Sequence, residues 1–274
     1  MRFDPITRIA LSWQAAARRA VVVEVAAAQG SVPRESGTRM LVAADEVVGT
    51  VGGGHLELQA IALARQMLLA ADGTTQRRHF PLGPALGQCC GGAVTLQFVA
   101  LAQAELALWT APAPRFFLQL YGAGHVGRAI VNLLGGIACT VQWIDERDDQ
   151  FPVAPTAPHI ARVCVEPVQA EVDVAPAGAC YLVLTHSHDL DMAITEAILH
   201  RGDFAFLGLI GSKTKRARFA HRFEARGISA ELIARITCPI GVAGIAGKEP
   251  EVIAVAVVAQ LLALAGDVNQ AEVA

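Results

Sequence analysis

A positive excess is absent from this chain. With 22 Lys and Arg against 25 Asp and Glu, its formal charge is -3 and its pI about 6.2. Such a chain lacks the field that neutralises a phosphate polymer, which argues against nucleic acid as a partner. Long apolar runs are missing too. The longest, VIAVAVVAQLLALAG from Val252, is interrupted by Gln260 and falls short of the ~20 residues that cross a bilayer. It reads as a buried helix, and no membrane association is expected. At the N-terminus, Asp4, Arg8, Gln14 and Arg18 break the apolar positions, leaving no apolar heart for an export signal. Low-complexity tracts and fixed-period repeats do not occur. The six cysteines follow no disulfide-framework spacing, which fits a reducing compartment. A cytoplasmic protein is expected, with small molecules or proteins as its partners.

Apolar residues are plentiful: 53% of the chain is hydrophobic and 17% charged, enough for a substantial core and unlike a disordered or fibrous protein. A length of 274 residues allows roughly two domains of the usual size. The chain opens on a helix over about residues 5–19, then a β-branched strand, AVVVEVAAAQG, that ends at Gly30. After the loop GSVPRESGTRM, the stretch MLVAADEVVGTVGGG reads as two short strands about a turn near Asp45. HLELQAIALARQMLLA from His55 has helical period, so Gly52, Gly53 and Gly54 stand at a strand-to-helix junction. QRRHFPL then leads to a cysteine turn, and AVTLQFVA is a further strand.

The prolines of WTAPAPR mark a connector. It separates residues 1–110, a smaller N-terminal α/β domain with the cysteine turn, from residues 115–274. Downstream, strand-like RFFLQLY, CTVQWID, ARVCVE, CYLVLT and FAFLGLI alternate with helix-like GRAIVNLLG, LDMAITEAILHR and KTKRARFAHRFEARG. That alternation is the signature of a parallel sheet wrapped by helices. The fold class is therefore α/β, with a C-terminal Rossmann-like domain closed by a terminal helix that starts near Pro250.

In FLQLYGAGHVGRAIVNLL, Gly122, Gly124 and Gly127 have G-x-G-x-x-G spacing between a strand and a helix, the context that motif requires. Glycines permit the tight turn and close backbone approach, while helix N–H groups favour a phosphate. Asp145, eighteen residues after Gly127 at the end of the next strand, is placed to bind ribose hydroxyls, and Arg147 suits a further phosphate. A phosphate-bearing ligand is expected, NAD(P) being one candidate. THSHDLD offers His186 and His188 in the manner of a binuclear metal motif, but Leu190 and Asp191 stand where an acid and a third histidine belong. Ser187 or Asp189 reads instead as a helix cap, with the histidines at a pocket rim. In IGSKTKRARFAHRFEARG, Ser212 and Lys213 point toward a phosphate, whereas Arg218, Arg222 and Arg226 continue at helical spacing as a solvated face.

LGQCCGGAV sets Cys89 and Cys90 beside Gly91 and Gly92. A glycine turn supplies N–H groups that stabilise thiolate, so the residues allow a reactive or metal-binding pair and equally a structural turn. Adjacent cysteines without a second Cys or His pair do not make a zinc site. Cys139, Cys164 and Cys180 lie in apolar strand runs and are expected in the core.

Taken in order, GSVPRESGTRM, GTVGGGHLE, LGQCCGG, YGAGHVG, THSHDLD, GLIGSKTKRARF and CPIG followed by GIAGKEPEVIAVAV resemble the xanthine dehydrogenase accessory protein family, XdhC/CoxI, over nearly the whole chain. The resemblance implies a chaperone that binds the molybdenum cofactor (molybdopterin), protects it and supports its sulfuration with a cysteine desulfurase. It further implies delivery to apo-xanthine dehydrogenase and association as a homodimer. By the same resemblance, Cys89 and Cys90 approach molybdenum or carry sulfur beside Gly91 and Gly92, with Gly53 and Gly54 on the facing wall. Glu57 accepts hydrogen bonds from the pterin, and Arg34 meets the phosphate. The Rossmann-like half holds a phosphate-bearing part of the cofactor, or a nucleotide, at Gly122, Gly124, His125, Gly127, Asp145 and Arg147, with His186 and Lys213 nearby. The apolar terminal helix offers a surface for interdomain or intersubunit packing. The rivals are an NAD(P)-dependent oxidoreductase, which leaves the cysteine turn unexplained, and a metal-dependent hydrolase, which fails at Leu190.

Overall fold

The computed structural model describes residues 5–70, 73–82, 92–109 and 113–271, with side chains as far as residue 266. Two compact units divide the chain, one before and one after the 110–112 segment.

In the N-terminal unit, helix α1 (Pro5–Ala15) precedes strands β1 (Ala20–Gln29), β2 (Arg39–Ala43) and β3 (Val47–Gly49). Helix α2 (Gly54–Ala70) and strands β4 (Gln76–Pro81) and β5 (Ala93–Ala100) follow. The five strands form one antiparallel sheet in the order β3-β2-β1-β5-β4. Side chains alternate across a strand, and β1 uses both faces. Val21, Val23 and Val25 pack with Leu56, Ala60 and Ala64 of α2, while Val22 packs with Ala10 and Trp13 of α1. A strand covered on both sides needs an unbroken apolar run, which is why AVVV carries no alternation.

Two expectations are corrected in this unit. Helix α1 stops at Ala15 because Ala17 takes a left-handed φ of 51°; Arg18 then lies over the Trp13 ring, 4.1 Å from its centroid, and pairs with Asp45 and Glu46. QRRHFP, read only as a lead-in, is strand β4. It is an edge strand with exposed Arg77, Arg78 and His79, and charge on an edge discourages further pairing while hiding the apolar pattern.

The C-terminal unit consists of β6 (Phe117–Tyr121), α3 (His125–Leu134), β7 (Thr140–Asp145), β8 (Ile160–Cys164) and β9 (Cys180–Val183). It continues through α4 (His188–Arg201), β10 (Phe206–Leu209), α5 (Lys213–Ala225), α6 (Ala230–Ala234), β11 (Ile236–Thr237) and α7 (Pro250–Ala271). All six strands are parallel, in the order β8-β7-β6-β9-β10-β11. Counted within the unit that order is 3-2-1-4-5-6, the doubly wound arrangement of dinucleotide-binding sheets. Tyr121, Tyr181, Val183 and Leu207 face α4 and α5 on one side; Leu118, Leu120, Trp143 and Leu182 face α3 and α7 on the other.

Helix α7 is apolar because it covers that second face through Ala254, Val257 and Leu261, so packing within its own unit replaces the expected interdomain or intersubunit role for these residues. Cys139 and Cys180 are buried as expected. Cys164 is not: it is exposed at the end of edge strand β8, its Sγ 3.7 Å from the carbonyl oxygen of Glu146. Helix α6 and the two-residue β11 are too short to leave a period in the sequence. Among the described residues, no helix is long and apolar enough to cross a membrane.

Candidate functional site

Strands β6 and β9 are neighbours, yet β6 connects through α3 toward β7 and β9 through α4 toward β10. Between their carboxyl ends lies the switch point where open α/β sheets bind ligands. The three glycines of the first turn divide their labour there. Gly122 has φ of 121°, and a Cβ on it would stand 2.4 Å from the oxygen of Leu184. A Cβ on Gly127 would come within 2.1 Å of the oxygen of Gly122. Gly122 thus lets the turn approach the chain leaving β9, and Gly127 lets α3 approach the turn. Gly124 differs, because nothing lies within 4 Å of its absent Cβ. It precedes α3 without a side-chain cap, leaving the N-terminal N–H groups beside open space, the arrangement that accommodates a phosphate. His125, the first residue of α3, is exposed.

Asp145 terminates β7 and is 5% exposed. Its Oδ2 accepts the N–H of Ala123 at 2.7 Å, and its two oxygens take Nε and Nη2 of Arg147 at 2.9 and 3.0 Å. The N–H of Arg147 donates to Oδ1 as well, at 3.0 Å. Burial alone would raise this carboxyl; hydrogen bonds from the Arg147 side chain and from backbone N–H groups outweigh it and hold the group below its usual range. Asp145 thus ties the glycine turn to the end of β7, aided by Trp143 Nε1 donating to the Gly122 oxygen at 3.0 Å. Ribose and phosphate were the expected partners of Asp145 and Arg147; here the two residues engage each other. His186 after β9 and Glu146 after β7 stand 3.7 Å apart, straddling the end of β6. The crevice beneath, about 10 Å³, is lined by Gly122, Asp145, Thr185, His186 and Leu190.

A larger cavity, about 440 Å³, opens where β9 meets α4 and β10 meets α5. Ser187 caps α4 by accepting from the N–H of Leu190 at 3.4 Å, and Ser212 caps α5 by accepting from that of Lys215 at 3.2 Å. Asp191, 1% exposed, is held by Thr185 through its N–H at 2.9 Å and its hydroxyl at 2.7 Å. Lys215 Nζ donates to Asp191 Oδ2 at 2.5 Å and to the Ile210 oxygen at 2.8 Å. Lys213, the expected phosphate ligand, does not line this cavity. Lys215, Arg218 and Arg222 do, because positions i, i+3 and i+7 share one helix face; Arg218 and Arg222 are exposed, as a solvated face requires, and border the cavity as well. One signal was available in the sequence. Asp191 lies on the α4 stripe that carries buried Ile194, Thr195 and Ile198, and Lys215 precedes buried Phe219 and Phe223, so each is a charge at a core position.

In the N-terminal unit, Gly52, Gly53 and Gly54 have φ of 132°, 74° and 61°, a turn fitted to glycine. Glu57 Oε2 accepts the N–H groups of Val51 and Gly53, each at 3.1 Å, and the Thr50 hydroxyl, so this carboxylate closes its own loop like the acid of a capping box. A Cβ on Gly52 would stand 2.5 Å from Pro33 Cγ, and one on Gly92 2.4 Å from the Ser31 oxygen. GSVPRESG, GGGHLE and Gly92 are thereby gathered in one place, with the Leu82 N–H donating to the Gly92 oxygen at 2.8 Å. Arg34 is exposed on this loop. Cys89, Cys90 and Gly91 lie outside the described residues. Among the described residues no group of three or more His, Cys, Asp or Glu side chains could hold a metal ion.

Known proteins share this architecture. The profile described as the XdhC Rossmann domain matches residues 118–261, and that of the XdhC and CoxI family matches residues 13–81. An Escherichia coli K12 protein described as uncharacterized protein YqeB is 32% identical over 255 residues, covering 88% of this chain and 42% of that protein. The chain thus spans about two fifths of that curated relative's length. A crystal structure reported as a xanthine dehydrogenase from Bacillus halodurans superposes with a TM-score of 0.69 at 18% identity, over 94% of this chain and 95% of that one, a likeness of fold. Matched in both its units, the chain belongs to the XdhC and CoxI family.

Proposed function

We propose that this protein is a maturation accessory protein that carries the molybdenum cofactor as cargo, protects it, supports its sulfuration and delivers it to apo-xanthine dehydrogenase. Family membership supports the accessory role. The observation that carries the cargo reading is the turn at Gly124: an uncapped helix N-terminus beside open space, at the switch point of a 3-2-1-4-5-6 sheet. Such a turn fits the phosphate of a pyranopterin. The protein acts by binding and handover, with sulfur supplied by a cysteine desulfurase and Cys89 and Cys90 ligating molybdenum or carrying that sulfur; thiolate is a ligand suited to a soft metal centre. A homodimer in the cytoplasm is part of the same reading. The chain is to be produced in a host that makes the cofactor, purified, and its bound pterin oxidised to the fluorescent form. Pterin above a carrier-free control is the expected result.

The sheet order also favours a second reading, an NAD(P)-dependent oxidoreductase. Against it stands Asp145, whose carboxylate is already committed to Ala123 and Arg147. Titration with NADH and NADPH separates the two: the cargo reading expects no tight nucleotide binding and no hydride transfer.

A further inference from the structure

The 440 Å³ cavity at the ends of β9 and β10 holds more cationic side chains than its own acids neutralise. Lys215, Arg218 and Arg222 stand against Asp189 and Asp191, one cation in excess; Lys215 and Asp191 pair directly, and the exposed Asp189 carries no ion pair to either exposed arginine among the described residues. Arg222 has only the sulfur of Met192, 3.6 Å from its Nη1, and Arg218 has no hydrogen bond or ion pair among the described residues. Arg128, Arg201 and Arg235 in the same unit, by contrast, donate to backbone oxygens. Ser187 and Ser212 each take one N–H at the start of α4 and α5, that of Leu190 and that of Lys215, so the site is defined by its side chains. An ammonium has three donors, and Lys215 spends two on Asp191 and Ile210.

We propose that this cavity is a subsite for a phosphate monoester, gripped by Arg218 and Arg222 with the remaining Nζ–H of Lys215. Asp191 is a positioning residue that fixes the ammonium. Planar guanidinium forks match phosphate oxygens, and three separate donor groups suit the three non-ester oxygens of a monoester better than the two of a carboxylate. The volume lies within the ~300–1,000 Å³ of small-molecule sites. Phe219, Met192 and Ile210 on the lining provide an apolar wall for the esterified group. The inference holds whether or not the cargo is a pterin.

Phenyl phosphate titrated calorimetrically into the full chain at constant ionic strength tests it. Saturable binding is expected, weakened at least about ten-fold in the double variant Arg218→Ala/Arg222→Ala. Arg226→Ala removes a guanidinium that follows the end of α5, lies outside the cavity and pairs with Glu196, and binding should stay within about two-fold of wild type. Asp191→Asn, confirmed folded by its melting curve, should weaken binding, and a variant that fails to fold leaves the arginine pair to decide. No saturable binding, or no loss in the arginine double variant, overturns the proposal; so does a loss in Arg226→Ala as large as in the double variant. Repeating the titration on molybdopterin-loaded protein identifies the source of the phosphate. Displacement assigns the subsite to the cargo's own phosphate in place of the Gly124 turn, and simultaneous binding assigns it to a separate phosphorylated molecule. Failure to retain pterin leaves the phenyl phosphate titration fully decisive.

Discussion

Gly124 and Gly127 belong to one motif but do different work. A methyl group at Gly127 meets the Gly122 oxygen, whereas one at Gly124 meets only open space. Gly127→Ala should therefore cost about 1–3 kcal/mol through overpacking. Gly124→Ala should change stability by about 1 kcal/mol or less while lowering pterin retention, a contrast read by thermal melts alongside pterin fluorescence. Asp145 makes a pH prediction. Its carboxyl sits below the ordinary value of 3.8, so its stabilisation is full above that value and disappears as pH falls through the lower folded one. Urea midpoints followed downward from about pH 5 should decline more steeply for wild type than for Asp145→Asn. Parallel declines would place the acid sensitivity in other carboxylates. Burial pushes the Cys180 thiol up to about 11 and that of Cys139 up to about 12. Both should resist alkylation in the native protein while exposed Cys164 reacts, as peptide mapping would show.

Among the elements, those with strong periodicity were legible. The βα alternation from Phe117 to Ala225 could be read directly, since buried parallel strands are apolar runs and the glycine turn marks the first crossover. Strand β4 was not, because an exposed edge carries Arg77, Arg78 and His79 instead of an apolar face. Nor was the contact between the starts of α4 and α5, since Asp191 and Lys215 are 24 residues apart and no local pattern couples them. That contact is testable. Lys215→Met leaves the Asp191 carboxylate buried and unpaired, at a cost of about 3–5 kcal/mol. Asp191→Asn/Lys215→Met should recover much of the loss, and chemical denaturation of both single variants and the double one measures the coupling. Additive losses would mean that the pair contributes nothing as a pair.

At the scale of the whole molecule, the ordered motifs identified the family, and the sheet topology agrees with the fold that family implies. The motifs could not indicate which ligand-type residues were already committed. Asp145 binds its own turn and Glu57 its own loop, and the donor count of a site emerges only from contacts made after folding. The two units have different expected tasks, phosphate binding in the C-terminal one and sulfur chemistry at Cys89 and Cys90 in the N-terminal one. Cys89→Ala and Cys90→Ala should lower cargo retention without unfolding the protein, whereas Cys180→Ala should act mainly on stability.

The central claim is that the chain carries a pterin cargo. Its most direct test is the oxidised-pterin fluorescence of protein purified from a cofactor-producing host, compared with a carrier-free preparation and with the folded Gly124→Ala and Cys89→Ala/Cys90→Ala variants. The account predicts a clear signal in wild type that falls in each variant. Fluorescence no higher than in the carrier-free preparation, from protein that melts normally, would contradict it.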